Sequence, residues 1–195
     1  TQVSRAVGKS VSLQQLNGAS REEFVSALRP LFNNETWPLE LAWESRPFGD
    51  VNELRAAIQV AVLTADDSRR AALIHDYPAM DKLLLADADE AATISADRGS
   101  LGLTDLNDVQ TERITELSAA YRERFDMPFV AYLDTNDTVD RVIDTGVRRL
   151  ANSPEQEYRT ALGEIVEIAN DRFDILLADA NPVRSSWDRK FTEVD

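Results

Sequence analysis

The stretch that most constrains this chain begins at Ser153-Pro154-Glu155-Gln156. Ser is a favoured helix N-cap, Pro is preorganised for the first helical position, and Gln three residues after Ser completes a capping box. Beyond it Ala161, Leu162, Ile165, Ile168, Ala169, Phe173, Leu176 and Leu177 recur at helical spacing, which makes one long amphipathic helix, the longest regular segment of the chain. No run of alternating apolar and polar residues is long enough for a sheet, and no internal repeat is present. The pattern predicts an all-α fold, a single-domain bundle of about eight helices.

The other segments agree with that class. Ser20-Arg21-Glu22-Glu23 is a capping box followed by Phe24, Ala27, Leu28 and Leu31, predicting a helix to about Phe32 with a kink at Pro30. Trp37-Pro38 opens a short helix through Glu44, Arg46-Pro47-Phe48-Gly49-Asp50 reads as a turn, and Leu54, Ala57, Ile58, Ala61 and Val62 mark the next helix. Asp66-Asp67-Ser68 caps a helix from near Arg69 into the His75 region, where Pro78 interrupts it. Residues 86–97 form a polar, alanine-rich connection. From 105 to 125, Leu106, Val109, Ile114, Leu117, Ala120, Tyr121 and Phe125 predict one helical face. The apolar run 128–133 has strand length and reads as a strand or an extended connection, after which Asp137 or Thr138 caps a helix over 139–151. Residues 1–15 read as a weakly patterned arm, and the tail 181–195 carries Trp187 and Phe191 among charges.

Charge narrows the partners. With 35 acidic against 21 basic residues the formal net charge is −14, which repels phosphate backbones and anionic lipid, so neither nucleic acid nor a membrane is expected. A local Arg still sets the potential inside a pocket, and a small anionic ligand stays open. With no cysteine and one histidine, there is no disulfide framework, thiolate nucleophile, Cys-ligated metal or His-rich metal site. No window approaches ~18 consecutive apolar residues and no signal-peptide pattern is present, so a cytoplasmic protein is the expectation.

Candidate chemistry gathers between residues 71 and 103. His75, the only histidine, is of the residue type best suited to proton transfer near neutral pH and is a candidate general acid or base, or an ordinary helix-end residue. Tyr77 in the same turn is a second candidate acid, or a core aromatic. Asp97-Arg98 offers a carboxylate and a guanidinium to one pocket, or forms a solvated salt bridge. Arg172, four residues after Ile168 and seven after Ile165, lies on the buried helical face, so its head either snorkels outward or sits in a polar cavity that wants an anion.

The order of these landmarks resembles a known family. Asn17 and Phe24, then Trp37 nine residues before Arg46-Pro47-Phe48, then Tyr77-Pro78, then Asp97-Arg98 ahead of Gly102-Leu103, are similar to the 2-oxo-4-hydroxy-4-carboxy-5-ureidoimidazoline (OHCU) decarboxylases of uric acid breakdown. The second half follows the same pattern in Leu117-x-x-x-Tyr121-x-x-x-Phe125-x-x-Pro128-Phe129-Val130, Arg149-Leu150-x-Asn152, and Glu157-x-x-x-Ala161-Leu162-x-Glu164-Ile165-x-x-Ile168-Ala169-x-x-Arg172. The resemblance covers about residues 13–178, with 179–195 as a tail.

That resemblance implies a homodimeric all-α lyase of about eight helices, without cofactor or metal, that turns an anionic ureide-like substrate into (S)-allantoin. It implies catalytic roles at Tyr77, Asp97 and His75, and substrate binding at Pro78, Arg98, Phe129, Val130 and Arg172. The family motif carries His where the Pro78 and Met80 register places Tyr77, Glu at Asp97, Gln at Arg98 and Gly at Asp126; a second register uses His75 and gives up the Pro. Two further readings keep the fold and change the role: a small-anion-binding module without turnover, and an oligomerising scaffold engaging Trp187 and Phe191.

Overall fold

The computed structural model describes residues 10–85, 106–134 and 136–177. They form nine α-helices: α1 (Leu13–Gly18), α2 (Arg21–Leu28), α3 (Trp37–Trp43), α4 (Val51–Thr64), α5 (Asp67–His75), α6 (Met80–Leu85), α7 (Asp108–Phe125), α8 (Val139–Arg149) and α9 (Pro154–Leu176), with a 3₁₀ turn at Arg29–Leu31. Among the described residues there is no strand, only an isolated parallel bridge between Val11 and Leu177, and no helix is long and apolar enough to cross a membrane. The described residues fall into two compact units, 10–64 with 169–177, and 65–168. The tail bearing Trp187 and Phe191, and the connection 86–97, lie outside them.

In the first unit the arm expected over residues 1–15 is corrected at its end. Ser12 and Gln15 form a reciprocal capping box that starts α1, a local signal as good as the one at Ser20 and Glu23. The helix through Pro30 ends earlier than expected. Pro30 has no N–H for an i→i−4 bond, so α2 stops at Leu28 and tightens into the 3₁₀ turn. The Arg46-Pro47-Phe48 turn, whose Arg46-Pro47 peptide is cis, is held from α1. Asn17 donates from Nδ2 to the Phe48 carbonyl at 2.9 Å and accepts the Phe48 N–H on Oδ1 at 2.8 Å. The Arg46 guanidinium caps the carbonyls of Trp43, Asn17 and Ala19 and lies over the Trp43 ring.

The second unit is built around α7, which packs against α6 and α8. Asn107 and Gln110 make its capping box. Leu117 and Tyr121 are buried as expected, but Val109 is 65% exposed. Five residues separate Val109 from Ile114, about 140° around a helix, so the two cannot share a face. Gly146 brings α8 close: a Cβ there would sit 2.5 Å from Leu117 Cδ2 and 3.0 Å from two Phe129 ring atoms. α7 ends in a left-handed cap at Asp126, φ 53°, the conformation that glycine adopts without cost.

The run 128–133 is an extended connection and pairs with no strand among the described residues. Side chains take the place of a ladder. The Val130 carbonyl accepts from Arg149 and the Tyr132 N–H donates to Glu164, which is how a buried backbone outside a sheet is satisfied.

Candidate active site

The turn after α5 sets two candidates apart. His75 is the last residue of α5 and is exposed, whereas Tyr77 is 6% exposed. Asp76 closes the helix, Tyr77 N–H donates to the Ile74 carbonyl at 3.2 Å, and half-buried Pro78 prevents a further turn. The chain then restarts as α6, whose Met80 N–H donates to the Phe129 carbonyl at 3.1 Å. The Tyr77-Pro78 step is thereby tied by one backbone bond to the segment carrying Phe129 and Val130.

That segment rests on a buried polar cluster. Arg149, at the end of α8, donates from Nε to Glu157 Oε1 at 2.5 Å and from Nη1 to the Val130 carbonyl at 2.7 Å. Its guanidinium carbon lies 4.9 Å from the Phe129 ring centre, within cation–π range. Glu157, in the first turn of α9 and fully buried, also accepts from Tyr121 Oη at 2.6 Å and from Asn152 Nδ2 at 2.9 Å. Burial, reinforced by the bond to Glu157, holds the Tyr121 hydroxyl well above its ordinary pKa, so it remains a donor. The Glu157 carboxylate is therefore hydrogen-bonded on both oxygens, whereas the Arg149 guanidinium uses Nε and Nη1 and leaves Nη2 buried without an acceptor among the described residues.

The amide side of the segment is different. Among the described residues no hydrogen bond engages the N–H groups of Phe129, Val130 or Ala131, while Phe129 and Val130 are buried. A buried stretch with spent carbonyls and unspent amides is suited to hold an acceptor-rich ligand. Glu164, which receives Tyr132 N–H at 3.0 Å, has its pKa raised, by burial first, against the lowering effects of that bond and of Arg149.

Arg172 belongs to the other unit. It is half-buried on α9 and donates from Nη1 to Asn33 Oδ1 at 3.1 Å and towards the Leu31 carbonyl at 3.4 Å. These two acceptors are a side-chain amide oxygen and a backbone carbonyl. Asp97 and Arg98 lie outside the described residues. In the sequence Arg149, Asn152 and Glu157 stand out only as landmarks of the family pattern. Their signal was a cation and an anion eight residues apart across a helix–helix turn, each inside an apolar pattern.

The described residues define a helical protein class in which a Tyr-Pro turn is bonded to an apolar extended segment that a buried Arg–Glu pair supports. The chain belongs to the OHCU decarboxylase family: the model of that family matches residues 17–174. It is 36% identical over 164 residues to the 2-oxo-4-hydroxy-4-carboxy-5-ureidoimidazoline decarboxylase of Haloferax volcanii, covering 83% of this chain and 94% of the relative. It is 32% identical over 181 residues to the enzyme of that name from Mus musculus, covering 89% and 98% respectively. Among solved structures, a crystal structure of (S)-allantoin synthase superposes with a TM-score of 0.66 at 22% identity, covering 86% of this chain and 54% of that one. At that identity the superposition speaks to the fold alone.

Proposed function

We propose that this protein is a cofactor-independent OHCU decarboxylase that converts 2-oxo-4-hydroxy-4-carboxy-5-ureidoimidazoline to (S)-allantoin and carbon dioxide, acting in the cytoplasm as a homodimer. The observation that carries the reading is the family match over residues 17–174, supported by relatives of that name aligned over nearly their whole length. Breaking the bond from ring carbon to carboxylate leaves an electron pair on that carbon, delocalised into the adjacent unsaturated ring, until a proton arrives on one face. Tyr77 is the proposed proton donor, favoured over His75 by its burial beside Pro78. Asp97 relays the proton, Arg98 holds the carboxylate and ureide oxygens, and the Phe129-Val130 amides orient the ring, with Pro78 shaping the wall.

The test is the decay of freshly generated OHCU, followed together with the circular dichroism of the allantoin formed. The expected result is accelerated decay with (S)-allantoin accumulating. Decay at the spontaneous rate with racemic product overturns the assignment. Tyr77→Phe is expected to lower kcat by at least about 100-fold, whereas His75→Ala leaves it unchanged.

A further inference from the structure

We infer that Arg149, held by Glu157, is a positioning residue that sets the register of the Phe129-Val130 amides and through them the affinity for substrate. The inference rests on the proposed function for its kinetic consequence, but its geometry is independent of it. Three contacts define where that segment lies. Met80 N–H takes the Phe129 carbonyl, Arg149 Nη1 takes the Val130 carbonyl, and Glu164 takes the Tyr132 N–H. Of these, only the Arg149 contact comes from a charged donor that is itself almost completely buried and locked.

The lock has a direction. Glu157 Oε1 binds Arg149 Nε, so the guanidinium plane is fixed from one edge, and Nη1 at another corner is delivered to Val130. The same plane is within cation–π range of the Phe129 ring, which Gly146 allows to lie against α8. One guanidinium therefore fixes a carbonyl and the neighbouring aromatic side chain together. Lysine cannot reproduce this: a single ammonium reaches Glu157 or Val130 without the planar fork that binds both in one geometry. Asn152 and Tyr121 act one step further out, by holding Glu157.

A displaced amide pair weakens binding of the ring, which reads as a higher KM. Loss of folded protein alone lowers the apparent kcat at unchanged KM. Arg149→Lys is therefore assayed at a temperature where near-ultraviolet circular dichroism shows it folded, with hydrogen exchange followed in parallel on the peptide covering residues 127–133. The expected result is about a tenfold rise in KM, an unchanged shape of the pH profile of kcat, and faster exchange confined to 127–133. Should Arg149→Lys fail to fold, Asn152→Ala, which frees Glu157 Oε2 and leaves the ion pair, takes its place with a rise of about threefold. A folded variant with wild-type KM and wild-type exchange overturns the inference. If the wild type does not accelerate OHCU decay, the proposed function fails, and the exchange result alone then decides the positioning role: faster exchange in 127–133 upholds it and wild-type exchange removes it.

Discussion

Replacing Arg149 by Met strands the Glu157 carboxylate in a fully buried position, with Tyr121 Oη and Asn152 Nδ2 as its remaining donors. Two hydrogen bonds from a charged donor are lost, to Glu157 Oε1 and to the Val130 carbonyl, each worth about 1.5–3 kcal/mol. Breaking a buried pair from one side costs about 3–5 kcal/mol. The lower end applies, because Arg149 Nη2 is buried without an acceptor among the described residues and Met no longer bears that penalty. The working figure is about 3 kcal/mol, or a Tm lower by about 6–12 °C in a chain of this size. Urea unfolding followed by far-ultraviolet circular dichroism measures it. The double variant Arg149→Met, Glu157→Leu is expected to recover a large part of the loss, because an apolar pair replaces an ion pair with little net cost. A loss under about 1 kcal/mol in the single variant, or a double variant as unstable as the sum of the two singles, refutes the view that the charges depend on one another.

Three further outcomes follow from other contacts. Gly146→Ala drives a methyl into Leu117 and the Phe129 ring; overpacking of about 1–3 kcal/mol outweighs the roughly 1 kcal/mol gained in helix propensity, and denaturation should show a net loss, whereas a stabilised variant refutes the close approach. Asp126→Gly relieves the left-handed cap and removes an acidic group from the negative end of α7, and should raise stability by about 0.5–1 kcal/mol in the same measurement; no gain would count against cap strain. Glu164 has a raised folded pKa caused chiefly by burial, so its favourable contribution is complete below the ordinary carboxylate range and is lost as pH rises through the raised value. Glu164→Gln, which keeps an acceptor for Tyr132, should therefore gain stability relative to wild type as pH climbs from the acid side through that window and hold the gain at neutral pH. A difference independent of pH would remove the buried-carboxylate reading.

The amino-acid sequence by itself determined the helical class and most helix starts, because N-caps and capping boxes are local chemistry: Ser20 with Glu23, Asp66 and Thr138 all cap as their side chains predict. It also carried the family, since landmarks such as Asn17 and Arg46 hold turns through contacts that only those side chains make. What only tertiary structure decided was which polar residues meet. Arg149 and Glu157 read as two charges eight residues apart, and nothing local says that Tyr121, Asn152 and the Val130 carbonyl converge on them. The choice between strand and extended connection at 128–133 was likewise not local, because it turned on whether other strands or side chains would satisfy that backbone. Between His75 and Tyr77, two residues apart and both able to donate a proton, only the path of the chain past Pro78 leaves one exposed and the other buried. Periodicity and capping act over a few residues and are written in the sequence, whereas burial and hydrogen-bond pairing across long separations exist only once the helices have packed.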